Sequence, residues 1–471
     1  MGNHNGHTEN SKRSLSRNSS SADIQEKSQL LPIEKLAKLL ANKSLTEDAI
    51  EGIGAGAFKR YLFPNYPELS RRLFSFLVVN AGLPGSSHVI SAAQFKIQSE
   101  KLLGILAEEE QVLMYVRMFA DNCDEIRPEQ FRDLLFIIYK IAMDHYAGGP
   151  QSCRQTFKTI QAVVDSAFHK KDVVGVNYMT TWLLANCPRL VNLLHRFIVH
   201  ILSTSYRILV EKQHTDKPPE LELTTPVLEK SSPLDEAPQP LLPLSQVWLL
   251  TTTLPPLYTR PTLTSPSINN SFSAQNFLAK ILDFSCPSHW TILYNSSQHG
   301  LTANRFLHHT LSYRGPTLTF IRGENDLELC LGATDEWRES HVYWGREECI
   351  VLQILPLFKV LDRGSKMLYL NTSIRGYPQG IRAGKDTRKP SVEVNNEFTK
   401  ALINGVPYKL DSIEVWGCGT PQSREIQLDI KNWQLKQVEK QRQVKMSSKD
   451  WLDHPDRYLL EMAGRQNYTQ S

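Results

Sequence analysis

The feature that most constrains this chain is a run of short apolar segments between about Pro240 and Gly419, each closed off by Gly, Pro, Asn or Ser. His289-Trp290-Thr291-Ile292-Leu293-Tyr294 is followed by His299-Gly300, and Arg314-Gly315-Pro316 precedes Thr317-Leu318-Thr319-Phe320-Ile321. Cys330-Leu331-Gly332-Ala333 with Trp337 comes next, and Ile413-Glu414-Val415-Trp416-Gly417 closes the stretch. Segments of this length, rich in Ile, Val, Leu and aromatics and bounded by turn formers, predict β-strands joined by turns. Strands are expected from Trp290, at Thr317 to Ile321, Leu327 to Leu331, Cys349 to Leu355, Met367 to Leu370 and Ser412 to Trp416. In this reading His299-Gly300 ends a strand and Gly315-Pro316 starts one, while Phe277, Ile281 and Leu282 form a short helix ahead of Trp290.

The first half carries a different period. From Leu30 to Val210 apolar residues recur at helical spacing, as in Leu36, Leu39 and Leu40, in Phe131, Leu134, Leu135, Ile138 and Ile141, and in Leu190, Leu194, Phe197 and Ile201. The most apolar part, Leu190 to Val210, is broken by His195, Arg196, His200 and Arg207. A membrane span needs about 18 consecutive apolar residues, so this segment reads as a core helix. A faint repeat relates Ile90-Ser91-Ala92-Ala93-Gln94-Phe95 to Ile126-Arg127-Pro128-Glu129-Gln130-Phe131. Its offset is one EF-hand length, and it puts Gln94 and Gln130 where a calcium loop needs its bidentate Glu. Leu83 and Phe119 fall at the first ligand position, so the repeat reads as an EF-hand scaffold without calcium chemistry, with Asp121 and Asp124 in solvated loops. Gly52-Ile53-Gly54-Ala55-Gly56 lacks the Gly-Lys-Ser/Thr ending of a phosphate loop and reads as a turn between helices.

The resulting organisation is α+β and multidomain. An arm (1–30) precedes a helical EF-hand-like domain (31–211), a Pro-rich linker (212–239), a β domain (240–421) with a Pro/Ser/Thr insertion at Pro255 to Ser273, and an amphipathic helical tail (422–471). The tail gathers Ile426, Ile430 and Trp433 on one face, and a second short helix between Asp453 and Gly464 brings Leu459, Leu460 and Met462. Such a tail packs either on its own domain or on a partner, and in the second case Ile426, Ile430, Trp433, Leu459 and Met462 are the anchors. Gly2, in Met1-Gly2-Asn3, is a candidate N-myristoylation site, although position 6 is Gly rather than Ser or Thr.

Several classes of function are disfavoured. A net charge of +4 over 471 residues gives no basis for a nucleic-acid partner. The seven cysteines, with no CxxC spacing, fit neither a disulfide framework nor a closed zinc site and point to the reducing cytosol. The first thirty residues are polar and contain no recognisable signal peptide. No Gly-x-Ser-x-Gly elbow or His-Glu-x-x-His motif occurs. His299, His308, His309 and His341, with Asp335, Glu336 and Glu339, are the polar residues a catalytic site would draw on. The expectation is no enzyme, no cofactor and no metal.

Trp248-Leu249-Leu250, the Trp290 to Gly300 segment, Arg314-Gly315-Pro316 and Val415-Trp416-Gly417 together resemble the TLDc domain family. Trp290, His299, Gly300, Gly315, Pro316, Gly332, Trp416 and Gly417 are the positions that carry the resemblance. It implies a β-sandwich with flanking helices. Two departures stand out: Cys330-Leu331-Gly332-Ala333-Thr334-Asp335 replaces a Phe-Gly-Gly-Tyr-Ala-Ser type segment, and the stretch between Gly380 and Val394 is short enough to lack a strand. The domain order is most similar to the MTOR-associated, lysosome-linked branch of the family. That resemblance implies an adaptor that binds V-ATPase subunits at the cytosolic face of the lysosomal membrane and supports MTOR pathway components. The family also implies an alternative, protection against oxidative damage, for which Cys330, Cys349 and Cys418 are the candidate thiols.

Overall fold

A computed structural model describes residues 32–144, 154–211, 242–260 and 289–442, together with Leu459 and Met462. The arm with Gly2, the linker at 212–239, the helix expected around Phe277 and most of the chain after 442 lie outside the described residues. The chain divides into two compact units. The first holds residues up to Leu254 with 265–288 and 354–359, and the second holds 255–264, 289–353 and 360–471.

The first unit repeats one motif, a helix, a two-residue strand and a second helix. Its elements are α1 (Pro32–Asp48), β1 (Ile53–Gly54), α2 (Ala55–Leu62), α3 (Pro67–Asn80), β2 (Val89–Ile90), α4 (Ala92–Leu103), α5 (Glu108–Phe119), β3 (Glu125–Ile126), α6 (Pro128–Met143), α7 (Arg154–Phe168), β4 (Val174–Gly175) and α8 (Val176–Asn186). Helices α9 (Leu190–Glu211) and α10 (Leu244–Thr253) follow. Strand β1 pairs with β2 through Ile53 and Ile90, and β3 pairs with β4 through Ile126 and Val174. This is the loop-to-loop pairing of coupled EF-hands. Ile90 and Ile126, the repeat visible in sequence, therefore sit in different pairs, and their partners Ile53 and Val174 complete a fourfold pattern. The Gly52 to Gly56 segment is one of these interhelical loops.

The loops are satisfied by the chain itself. Gln94 serves a capping box on α4, its amide accepted by the Ser91 hydroxyl at 3.2 Å and its carbonyl accepting from the Ser91 amide at 3.4 Å. Gln130 accepts from the Arg127 amide at 2.9 Å and donates to Asp121 at 2.9 Å. Asp121 is exposed, as expected of a loop residue, and also accepts from Arg72 at 3.2 Å. The Arg72 guanidinium, 5% exposed, further pairs with Glu68 and Asp133 and donates to the Phe119 carbonyl at 2.6 Å. Asp124 is exposed, 3.6 Å from Arg117.

Helix α10 contains Trp248-Leu249-Leu250 and falls with the first unit rather than with the β domain, where the sequence reading placed it. All ten of its residues are buried, Trp248 packs edge-on against Tyr139 of α6 at 5.3 Å, and Ser245 meets Thr159 of α7. Among the described residues no helix is long and apolar enough to cross a membrane.

In the second unit α11 (Pro256–Thr259), β5 (Thr291–Asn295), α12 (Ser296–His299) and α13 (Ala303–Thr310) lead into the sheet strands β6 (Thr317–Gly323), β7 (Leu327–Ala333), β8 (Ile350–Leu355), β9 (Lys359–Arg363), β10 (Leu368–Asn371), β11 (Gly380–Ala383), β12 (Val392–Val394), β13 (Lys400–Ile403) and β14 (Val406–Gly417). Helix α14 (Pro421–Arg442) ends the described unit. The strand order is β10-β11-β12-β13-β14-β6-β7-β8-β9, with β5 on β14. Long β14 is the spine: its first residues pair with β13, and after an irregularity between Leu410 and Ser412 the rest continues along β6. Both arms of the sheet feed one core, from Leu329 and Val351 to Ile381 and Val394, which is the sandwich the resemblance implied. The stretch from Gly380 to Val394 has lost no strand. It holds β11 and β12, short but fully paired.

Candidate functional site

The residues that carried the resemblance are placed first by packing. Trp290 is completely buried and donates from Nε1 to the Tyr258 carbonyl at 2.7 Å. Gly315, Gly417 and Gly419 cradle the Tyr313 ring: a Cβ on Gly417 would lie 2.5 Å from Tyr313 Cζ, and the Gly419 amide donates to the Tyr313 hydroxyl at 2.8 Å. Pro316 accepts from the Cys418 amide at 2.8 Å. A Cβ on Gly332 would meet Ile350 at 2.7 Å, so the single glycine kept in that departure serves close packing. Trp416 is buried, its Nε1 donating at 3.4 Å to Glu414, whose carboxyl burial pushes up to about 7. Glu414 also accepts from Asn295 at 3.1 Å.

His299-Gly300 ends a helical turn, not a strand. The strand stops at Asn295, whose side chain accepts from the Ser297 amide and so starts α12. Gly300 takes φ +88°, which closes that turn at little steric cost. The His299 ring then accepts from the Asn295 amide at 3.1 Å and stacks on His309 at 3.8 Å. Desolvation lowers the pKa of His299, and desolvation with the neighbouring His299 and Lys431 takes His309 down to about 4.

The acids a catalytic site would need are committed elsewhere. Asp335 pairs with Arg346 at 2.9 Å, Glu336 accepts from the Ser312 amide at 2.8 Å, and Glu339 accepts from Thr372 and Ser373 at 2.9 Å. The His341 ring packs near Tyr377. The structure thus brings His299, His308 and His309 together but leaves His341 and these carboxylates as loop staples. Cys330, Cys349 and Cys418 are buried, and burial raises all three thiols above their ordinary pKa, which disfavours the reactive thiolate.

Helix α14 meets its own domain through a polar side chain. The side chain lying against the sheet domain is Gln427, 0% exposed, which donates to the carbonyls of His309 at 3.0 Å and Leu311 at 2.9 Å. Arg424 and Lys431, three residues before and four after, share its stripe and are half-buried. Several apolar side chains are exposed: Trp433 is 61% exposed, Leu435 60%, and Ile426, Leu428 and Val438 as well, with Ile426 and Trp433 on one face and Leu428 and Leu435 on another. Ile426 and Trp433 are where the sequence reading put the anchors, while Ile430 is half-buried. Leu428, Leu435 and Val438 were missed, although the seven-residue spacing of 426 with 433 and of 428 with 435 is legible. Leu459 and Met462 are exposed, within a stretch otherwise outside the described residues.

Comparison with known proteins agrees with this domain structure. The TLDc domain family matches residues 264–419. MTOR-associated protein MEAK7 of Danio rerio is 23% identical over 168 residues, 32% of this chain and 37% of that protein. Restriction of telomere capping protein 5 of Leptosphaeria maculans is 22% identical over 390 residues, 66% of this chain and 59% of that protein. The protein of the same name from Colletotrichum graminicola is 39% identical over 57 residues, 12% of this chain and 9% of its own. Each match thus spans less than two thirds of the relative's length. Residues 264–419 are a TLDc domain, and the chain is a TLDc-domain protein similar to the MTOR-associated protein MEAK7.

Proposed function

We propose that this protein is a non-enzymatic adaptor that docks on V-ATPase subunits at the cytosolic face of the lysosomal membrane and supports MTOR signalling. The pump and the lysosome come from the family resemblance, and the MTOR-associated relative supports the MTOR link. The observation that carries the adaptor reading is the exposure of Ile426 and Trp433, which share one face of α14 seven residues apart, with Trp433 more than half exposed while Gln427 docks inward. Exposed aromatic and aliphatic side chains at helical spacing are what a groove on a partner takes up, and a buried Trp is a frequent hot spot. Helix α14 is the engaging element, and Leu459 and Met462 extend the contact. Gly2, when acylated, adds a membrane anchor that one chain alone holds only marginally.

Binding of the full chain and of a chain lacking residues 422–471 to purified V-ATPase is the test. Pump binding by the full chain and its loss on truncation are expected, whereas equal binding by both would remove α14 from the interface. Gly2→Ala is expected to move the protein from the membrane to the soluble fraction, and unchanged fractionation would rule out acylation as the determinant of location.

A further inference from the structure

The stripe that docks α14 lies on a cluster of nitrogen bases. His299 ends α12, Arg305, His308 and His309 come from α13, and Arg424 and Lys431 come from α14. His299 and His309 stack at 3.8 Å, and the His308 ring lies 5.1 Å from His309. Gln427 holds α14 over this cluster through the carbonyls of His309 and Leu311, and Arg424 donates to the Gln427 side chain. Tyr294 of β5 faces both stacked rings, but its hydroxyl is spent on the Gly300 carbonyl at 2.7 Å. The neighbouring carboxylate, Glu336, accepts from the Ser312 amide.

Among the described residues no ion pair joins Arg305, Arg424 or Lys431 to an acid, and the charged neighbours of His299 and His309 are all bases. Half-burial lowers the pKa of Lys431 and of Arg424 for the same reason: their charge is partly desolvated with no anion beside it. Desolvated cations without a counter-charge are costly, and an anion with several acceptor oxygens relieves that cost through charge-assisted hydrogen bonds.

We propose that this cluster is a binding site for a phosphoryl oxyanion, held between α13 and α14 by Arg424 and Lys431, with the rings of His299 and His309 as further donors. The Nδ1 of His299 is taken by the Asn295 amide, so its Nε2 is the atom that turns to the anion. His299 thus donates from Nε2 as the neutral ring, and a bound anion favours the charged form of His309, so binding takes up a proton and tightens as pH falls. It also straps α14 to the sheet domain. The inference goes beyond the adaptor reading and does not depend on it.

The test uses the full chain and two sources of the same chemistry. Inorganic phosphate is titrated at constant ionic strength against chloride while His ring proton resonances and melting temperature are followed. Co-sedimentation with phosphatidylcholine vesicles, with and without a phosphatidylinositol phosphate, probes a lipid headgroup. Saturable shifts with phosphate, or sedimentation only with the phosphorylated lipid, are expected. Arg424→Gln and Lys431→Gln are each expected to weaken the response about tenfold, as the loss of one charge-assisted bond predicts. Lys431→Arg is expected to restore it, and melting in chloride shows that the variants fold. Sulfate, whose charge is constant in this range, is expected to bind more tightly at pH 6 than at pH 8. No saturable response to either source, an undiminished response in the Gln variants, or pH-independent sulfate binding would overturn the proposal.

Discussion

Trp290 and Trp433 belong to the same unit and use the same side chain for opposite ends. Trp290 is sealed into the sheet domain, with its only polar atom bonded to a carbonyl at 2.7 Å, whereas Trp433 stands 61% exposed on a helix docked through Gln427. The polar groups of the EF-hand-like loops are likewise consumed internally, by Gln94, Gln130 and Arg72. Surfaces whose groups are already satisfied have little to offer a ligand. In α14 the docked side chain is Gln427, while Ile426 and Trp433 are left to water among exposed charged residues, an arrangement that improves once their face is covered.

The largest effect that separates the two regions is expected in the sheet. Trp290→Ala removes a fully buried aromatic and its hydrogen bond and is expected to destabilise the unit by about 3 to 5 kcal/mol, read from chemical denaturation. A loss below about 1 kcal/mol would mean that this part of the core does not set stability. Next in size is Arg72→Met. Its guanidinium is 5% exposed but its carboxylate partners are about half exposed, so a loss of about 2 to 3 kcal/mol is expected in the helical unit. A neutral result would show that the loops around Asp121 need no internal cation.

A smaller effect concerns the clasp under α14. His309 titrates lower in the folded protein than in an unfolded chain, so the unfolded state binds more protons across the interval between them. Stability is therefore complete above about pH 6.5 and declines as pH falls toward about 4. His309→Asn is expected to flatten that decline in a melting-temperature profile, while an unchanged slope would assign the loss to other groups.

Much of this architecture was legible in the sequence, and the gaps have physical causes. The strands at Thr317, Leu327, Cys349, Met367 and Ser412 were found because both faces of β6 and β7 are buried and leave unbroken apolar runs. Strands β9, β11, β12 and β13 escaped because they are three to five residues long, and β9 is partly exposed, so no apolar run marks them. The paired loops were half visible: Ile90 and Ile126 share flanking residues, but Ile53 and Val174 share only a position in the pleat. At the candidate site the sequence put Ile426, Ile430 and Trp433 on one face, of which the structure exposes Ile426 and Trp433 and half-buries Ile430, and the docking side could not be read. It consists of Gln427 reaching two carbonyls more than a hundred residues away, a contact with no local pattern.

The most direct test of the central claim is Trp433→Ala, measured for both thermal stability and binding to purified V-ATPase. The account predicts a stability change within about 0.5 kcal/mol, because the ring is mostly in water. It predicts a loss of about 2 kcal/mol or more in pump affinity, the effect of truncating a hot-spot aromatic. Intact binding together with a large drop in melting temperature would contradict it, since Trp433 would then be a core residue of its own domain rather than a contact for a partner.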